Sequence, residues 1–167
     1  MSIKDPRIAK ITLNIGTGSD LNDLKKAEKL LKMLSDQKPV RTSAKATISE
    51  LNVKQGDPIG VKVTLRGKKA EEVLKKSFEA VENTIKGSQI SDNGNFSFGV
   101  SEYIEMPGMK YDPDIGMIGF DVCVDLERIG FRINRRRLKK KKLHEKVHIQ
   151  PEEVEKFLNE KFGVKVE

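Results

Sequence analysis

Arg7-Ile8-Ala9-Lys10-Ile11-Thr12-Leu13-Asn14-Ile15 alternates apolar and polar residues. Ile11, Leu13 and Ile15 fall on one side of an extended chain and Lys10, Thr12 and Asn14 on the other. That period of two is the mark of a strand with one buried and one wet face. Gly60-Val61-Lys62-Val63-Thr64-Leu65-Arg66 repeats it, with Val61, Val63 and Leu65 inward and Lys62, Thr64 and Arg66 outward. A fainter version spans residues 40–48, where Val40, Thr42, Ala44, Ala46 and Ile48 alternate with Arg41, Ser43, Lys45 and Thr47. Further strands are predicted over residues 96–104 and 118–126, with a turn at Asn93-Gly94 and a loop over 107–116.

Between the strands the period lengthens. Asp20 can cap a helix whose Leu21, Leu24, Ala27, Leu31 and Leu34 share a stripe. A second helix is predicted over residues 68–86, where Ala70, Val73, Leu74, Phe78, Val81 and Ile85 recur at helical spacing. The last helix is punctuated by Pro151 in its first turn, Glu152 and Glu153 at its positive end, Lys161 in its last turn and Gly163 just beyond. The sum is an α+β fold, a mostly antiparallel sheet with helices packed on one face. Residues 1–131 form one domain, 132–150 a basic extension, and 151–167 a C-terminal helix packed on the same domain.

Helices on one face leave the other open. Its predicted outward residues are Lys10, Thr12 and Asn14, then Arg41, Ser43 and Lys45, then Lys62, Thr64 and Arg66, without a carboxylate. Bases mixed with short hydrogen-bonding groups suit the phosphates and 2′-hydroxyls of a folded RNA. The competing reading is an ordinary solvated sheet face. The acid-free pattern over three strands favours RNA.

Charge points the same way. Arg135, Arg136, Arg137, Lys139, Lys140, Lys141 and Lys142 lie within eight residues and carry as much charge as the whole chain, +7. Glu145 is the first acid after them, so the run lacks the mixed signs of a solvated helix face. Neutralising about seven duplex phosphates gives a salt slope of roughly −6, about 10³–10⁴ in affinity between 50 and 200 mM salt. The run has no apolar face to lay on a membrane, though it could also serve as a nuclear-import signal. Elsewhere residues 38–69 hold eight bases against Glu50 and Asp57, and residues 88–127 hold eight acids against Lys110, so the remainder hides opposed patches. The acidic stretch reads as solvated surface or a protein-facing side.

The chain is 167 residues, long enough for a core without disulfides. Its single Cys123 and lack of an early apolar run imply a reducing, cytoplasmic setting. Alternation with Val122 and Val124 makes Cys123 a half-buried structural thiol rather than a nucleophile. Aromatics are 5% and Trp is absent, against a protein that stacks many unpaired bases on exposed rings.

Four motifs compete with this reading. His144-Glu145-Lys146-Val147-His148 matches the HExxH pattern of zinc hydrolases, but Pro151 interrupts the helix it needs and the preceding lysines repel a cation. Gly16-Thr17-Gly18 lacks the remaining glycine of a dinucleotide fingerprint and reads as a tight turn. Asp112-Pro113-Asp114-Ile115-Gly116 has its glycine one place early for a calcium loop. Gly94-Asn95-Phe96-Ser97-Phe98-Gly99-Val100 loosely resembles the aromatic strand of a single-strand RNA module, whereas paired phenylalanines at a period of two are more often core. No metal or cofactor is expected.

Leu13-Asn14-Ile15-Gly16-Thr17-Gly18, Gln37-Lys38-Pro39-Val40-Arg41-Thr42, GDPIGVKVTLRG at 56–67, GNFSFG at 94–99 and GFDVCV at 119–124 occur together and in order. In this set the chain resembles the large-subunit ribosomal proteins conventionally numbered five, which bind 5S rRNA. The extension after Arg132 and the final helix resemble the archaeal and eukaryotic form. The resemblance implies a noncatalytic, ribosome-associated protein of the central protuberance that attaches 5S rRNA to the large rRNA among neighbouring ribosomal proteins. It implies a 5S rRNA surface at Asn14, Gln37, Arg41, Thr42, Thr64 and Arg66, which Lys45 and Lys62 of the outward face extend. Gln37 and Thr42 come from the resemblance alone. It further implies a loop over 49–56 that reaches P-site tRNA, with Ser49, Asn52, Lys54 and Gln55 as its contacts. Leu51 stands there for a frequent aromatic, Ser49 for a frequent base and Ala46 for a second lysine. Arg132 and the cationic run are left for the large rRNA.

Overall fold

The computed structural model describes residues 5–143 and 147–167. Its centre is a five-stranded sheet in the order β2-β3-β1-β6-β5, antiparallel at every pairing. The strands are β1 (Arg7–Gly16), β2 (Val40–Ser43), β3 (Pro58–Leu65), β5 (Phe96–Val100) and β6 (Phe120–Glu127). Short β4 (Thr84–Ile85) and β7 (Lys165–Val166) pair in parallel beside it. The helices are α1 (Leu21–Ser35), α2 (Lys68–Ala80), the single turn α3 (Arg132–Arg135) and α4 (Pro151–Phe162).

The alternation read in β1 and β3 is realised residue for residue. Ile11, Leu13, Ile15, Val61, Val63 and Leu65 are all buried, and they are joined in one core by Val122, Val124 and Leu126 of β6. α1 and α2 cover this face with Leu24, Leu30, Leu31, Leu74 and Phe78. Phe96 and Phe98 are buried against the ring of Phe78, with centroids 6.2 and 5.2 Å away. They offer nothing for an unpaired base to stack on, which removes the single-strand RNA module as a reading. α4 brings Val154, Phe157 and Leu158 into the same core.

The caps follow their chemistry. Asp20 Oδ1 accepts from the Asn22 amide at 2.7 Å, and Gly18 takes φ +63° in the turn before it. Glu153 reaches back to the Gln150 amide at 3.0 Å, and Gly163 closes α4 at φ +68°. The hydrogen bond donated by the Gln150 amide first, then the Arg128 guanidinium, hold the Glu153 carboxyl below the ordinary glutamate range.

Three expectations are corrected. α2 stops at Ala80, because Glu82 and Asn83 turn left-handed and Ile85 is buried as part of a strand paired with β7. The strand at 40–48 ends at Ser43, where its register with β3 shifts. β2 is also turned over. Val40 pairs opposite Lys62 and Arg41 opposite Val61, and directly opposed residues of an antiparallel pair share a face. Val40 and Thr42 therefore join the open face, while Arg41 goes to the helix side and binds Glu28 of α1. Register with β3 sets the facing, since neither alternate set in 40–43 is strongly apolar.

Candidate nucleic-acid interface

Pairing arranges the open face in rows. One row crosses the whole sheet as Val40, Lys62, Asn14, Asp121 and Gly99, and the next runs Thr64, Thr12, Cys123 and Ser97. A third sets Lys10 opposite Asp125, with Nζ 3.1 Å from the carboxylate. The β3–β1 half is free of acids. The β6 half carries Asp121, Asp125 and Glu127, which the strand-by-strand pattern did not reveal.

Of the sequence candidates for RNA, Asn14, Lys62 and Thr64 stand together in these rows, Thr42 flanks them on β2, and Arg66 follows β3 directly. Lys62 and Arg66 are exposed and make no ion pair among the described residues. Gln37 lies between α1 and β2, with its amide on Ser35 Oγ at 3.3 Å. Arg41 is engaged instead by Glu28, with Nη2 to Oε2 at 3.1 Å, and this contact holds the Glu28 carboxyl below its usual range. Lys45 lies beyond the end of β2, exposed on the following loop.

That loop is folded on itself. Ile48 and Val53 exchange backbone hydrogen bonds of 2.9 and 3.2 Å around the single 3-10 turn Ser49–Leu51, and Asn52 takes φ +51°. The Gln55 amide donates to Thr47 Oγ1 at 3.1 Å, and the Lys54 amide to Asp57 Oδ2 at 2.8 Å. Ser49, Asn52, Lys54 and Gln55 are consequently exposed on a preformed tip.

The extension is tied at both ends. At its root Arg135 lies 3.1 Å from Glu127 and 3.9 Å from Asp125, with its guanidinium 6.0 Å from the Phe131 ring centroid. At its end Arg128 donates to the His148 carbonyl at 3.2 Å and pairs with Glu153, while Ile149 is fully buried. Between them Arg136 Nε bonds the Lys139 carbonyl at 2.9 Å, closing a turn in which Lys139 takes φ +52°. Arg132, Arg136, Arg137 and Lys139 to Lys142 are exposed, with no ion pair among the described residues. These cations are free for a polyanion, whereas Arg7, Lys10 and Arg135 already neutralise Asp125 and Glu127.

The competing motifs resolve unevenly. His144 and Glu145 lie outside the described residues, and the His148 ring packs edge-on to Phe131 at 6.3 Å. Lys29 of α1 binds both Asp112 and Asp114, at 2.8 and 3.3 Å, so the resemblance to a calcium loop is a salt-bridge site. Cys123 is exposed on the open face rather than half-buried. Partial desolvation, then the charges of Asp121 and Asp125, push its thiol up and away from the reactive thiolate. No helix is long and apolar enough to cross a membrane among the described residues.

Fold and site together define an α+β protein that presents a polar sheet face and a tethered cationic arm to solvent. The ribosomal protein L5 family matches over residues 2–54, and the model of that family's C-terminus over 58–165. The chain is 46% identical to "Large ribosomal subunit protein uL5" of Methanosphaera stadtmanae, over 99% of this chain and 98% of that one. It is 49% identical to the protein of the same name in Nanoarchaeum equitans, over 96% and 95% of the two chains. The counterpart in Sulfurisphaera tokodaii is 48% identical over 96% and 91%. The chain belongs to the ribosomal protein L5 family, of noncatalytic structural proteins of the large ribosomal subunit, and the zinc-hydrolase reading falls with that assignment.

Proposed function

We propose that this protein binds 5S rRNA with the β3–β1 half of its open face and attaches it to the large rRNA through the basic extension, in the central protuberance among neighbouring ribosomal proteins. The observation that carries this reading is the pair Lys62, Asn14 with Thr64, Thr12 beside it: free hydrogen-bonding groups and a free cation on the half of the open face that bears no acid. Phosphate contacts position a protein but do not identify a target, so discrimination belongs to this surface and bulk affinity to Arg132, Arg136, Arg137 and Lys139 to Lys142, while Arg135, of the same run, reaches RNA only by sharing Asp125 and Glu127. Thr42 and Arg66 border the surface, and Gln37 would join it from the turn between α1 and β2. Arg41 reaches RNA only around the β2 edge and after sharing Glu28. The tip bearing Ser49, Asn52, Lys54 and Gln55 is the proposed contact to P-site tRNA, and its internal hydrogen bonds lower the entropic cost of that contact.

A gel shift with 5S rRNA tests the assignment. Asn14→Ala with Thr64→Ala is expected to weaken binding about tenfold, two hydrogen bonds at roughly 0.5–1.5 kcal/mol each, whereas Asn159→Ala with Glu160→Ala on α4 leaves it unchanged. Equal effects of the two pairs would remove the sheet face from the interface.

A further inference from the structure

Where β1, β5 and β6 meet at one end of the open face there is a recess of about 370 Å³. Gly16, Gly99 and Gly119 line it with backbone, and Asn14, Ser101 and Asp121 frame it with side chains. Close packing requires one of these glycines: a Cβ on Gly119 would fall 2.6 Å from the Ser101 carbonyl and 2.8 Å from that of Val100. A Cβ on Gly99 would lie 3.7 Å from Asp121 Oδ1, so a longer side chain there would stand against the carboxylate. The recess is floored by peptide planes and bordered by three polar side chains that make no hydrogen bond within the described protein.

Asp121 is the anomaly. The other two acids of β6 are neutralised by Arg7, Lys10 and Arg135, but Asp121 is exposed and, among the described residues, unpaired in the same row as Lys62 and Asn14. A free carboxylate beside an RNA-binding surface repels phosphate. It is, however, an acceptor of two parallel hydrogen bonds, and guanine alone among the four RNA bases presents two parallel N–H donors, N1–H and N2–H, on its Watson–Crick edge. We propose that the recess receives an unpaired guanine of the bound RNA, with Asp121 accepting from N1–H and N2–H and the Asn14 amide or Ser101 hydroxyl bonding a further edge. The glycine backbone admits the flat base, and Lys62 in the same row meets the adjoining phosphate. The proposal rests on the open face being the RNA surface and adds a base-reading site to it.

The sign of one substitution separates repulsion from recognition. Asp121→Asn and Glu155→Gln on α4 each remove one formal negative charge, so simple repulsion predicts that both bind 5S rRNA as tightly as the unaltered protein or tighter. Recognition predicts that Asp121→Asn weakens binding about tenfold while Glu155→Gln does not. Transcripts carrying inosine, which lacks the N2 amino group, at single unpaired guanosines supply the second arm. One such replacement is expected to weaken the unaltered protein about tenfold and to leave Asp121→Asn no weaker than before. If Asp121→Asn binds the natural transcript as well as or better than the unaltered protein, or if every inosine weakens both proteins alike, the guanine site is wrong. If the unaltered protein does not bind 5S rRNA at all, it is the proposed function that fails.

Discussion

The two halves of the open face are built alike and charged oppositely. β3 and β1 present Lys62, Thr64, Thr12 and Asn14, whereas β6 presents Asp121, Cys123, Asp125 and Glu127 from strands of the same alternation in the same sheet. Strand pattern places residues on a face, while strand order decides the electrostatics of that face. The acidic half is also not uniform. Arg7, Lys10 and Arg135 converge on Asp125 and Glu127, so those carboxylates join the root of the cationic extension to the sheet. An isolated exposed ion pair contributes little, but three cations on two partly buried carboxylates form a network.

Neutralising the extension should change RNA binding most. Lys139→Gln, Lys140→Gln, Lys141→Gln and Lys142→Gln together should reduce the salt slope of RNA binding by about 3–4, at about 0.9 per duplex phosphate. Affinity measured between 50 and 200 mM salt checks this. The preference for 5S rRNA over an unrelated folded RNA should survive, because the polar half is untouched. A smaller effect tests the acidic half. Asp125→Asn with Glu127→Gln, and separately Arg135→Gln, should each speed amide exchange at Arg136 about threefold while Thr12 and Val124 stay protected. The two variants change net charge in opposite directions, so a shared effect identifies the lost contact rather than the charge.

The smallest effect concerns α4, which lies outside both halves. The Glu153 carboxyl titrates below its unfolded value, so its stabilisation is present above the ordinary glutamate range and is lost as pH falls through the lower folded value. Glu153→Gln should therefore cost a few tenths of a kcal/mol at neutral pH, with the difference from the unaltered protein vanishing at acid pH. Thermal unfolding at the two pH values measures it.

Much of this was legible in the residues. Ile11, Leu13 and Ile15 announced the central strand because a core on one face demands strict alternation, and Asp20 and Gly163 marked helix ends through their own local chemistry. The site was half legible. Periodicity marks Asn14, Lys62 and Thr64 as outward, but nothing local says that a strand a hundred residues on pairs with β1 and brings the acids of β6 onto the same face. β2 was turned over for the same reason: its four residues carry too little apolar contrast to fix a face, and pairing with β3 does it. Ile85 continued the helical stripe of α2 in sequence, yet its partner β7 lies at the other end of the chain. Each miss is a long-range pairing that overrode a plausible local pattern.

Footprinting of 5S rRNA with the unaltered protein and with the four-lysine variant separates recognition by the sheet face from recognition by the extension. The polar half of the sheet is expected to protect the same nucleotides in both, with the variant needing only a higher protein concentration or lower salt. Loss of the whole 5S footprint in the folded variant at saturating protein would contradict it, and would make the extension rather than the face the element that chooses the RNA.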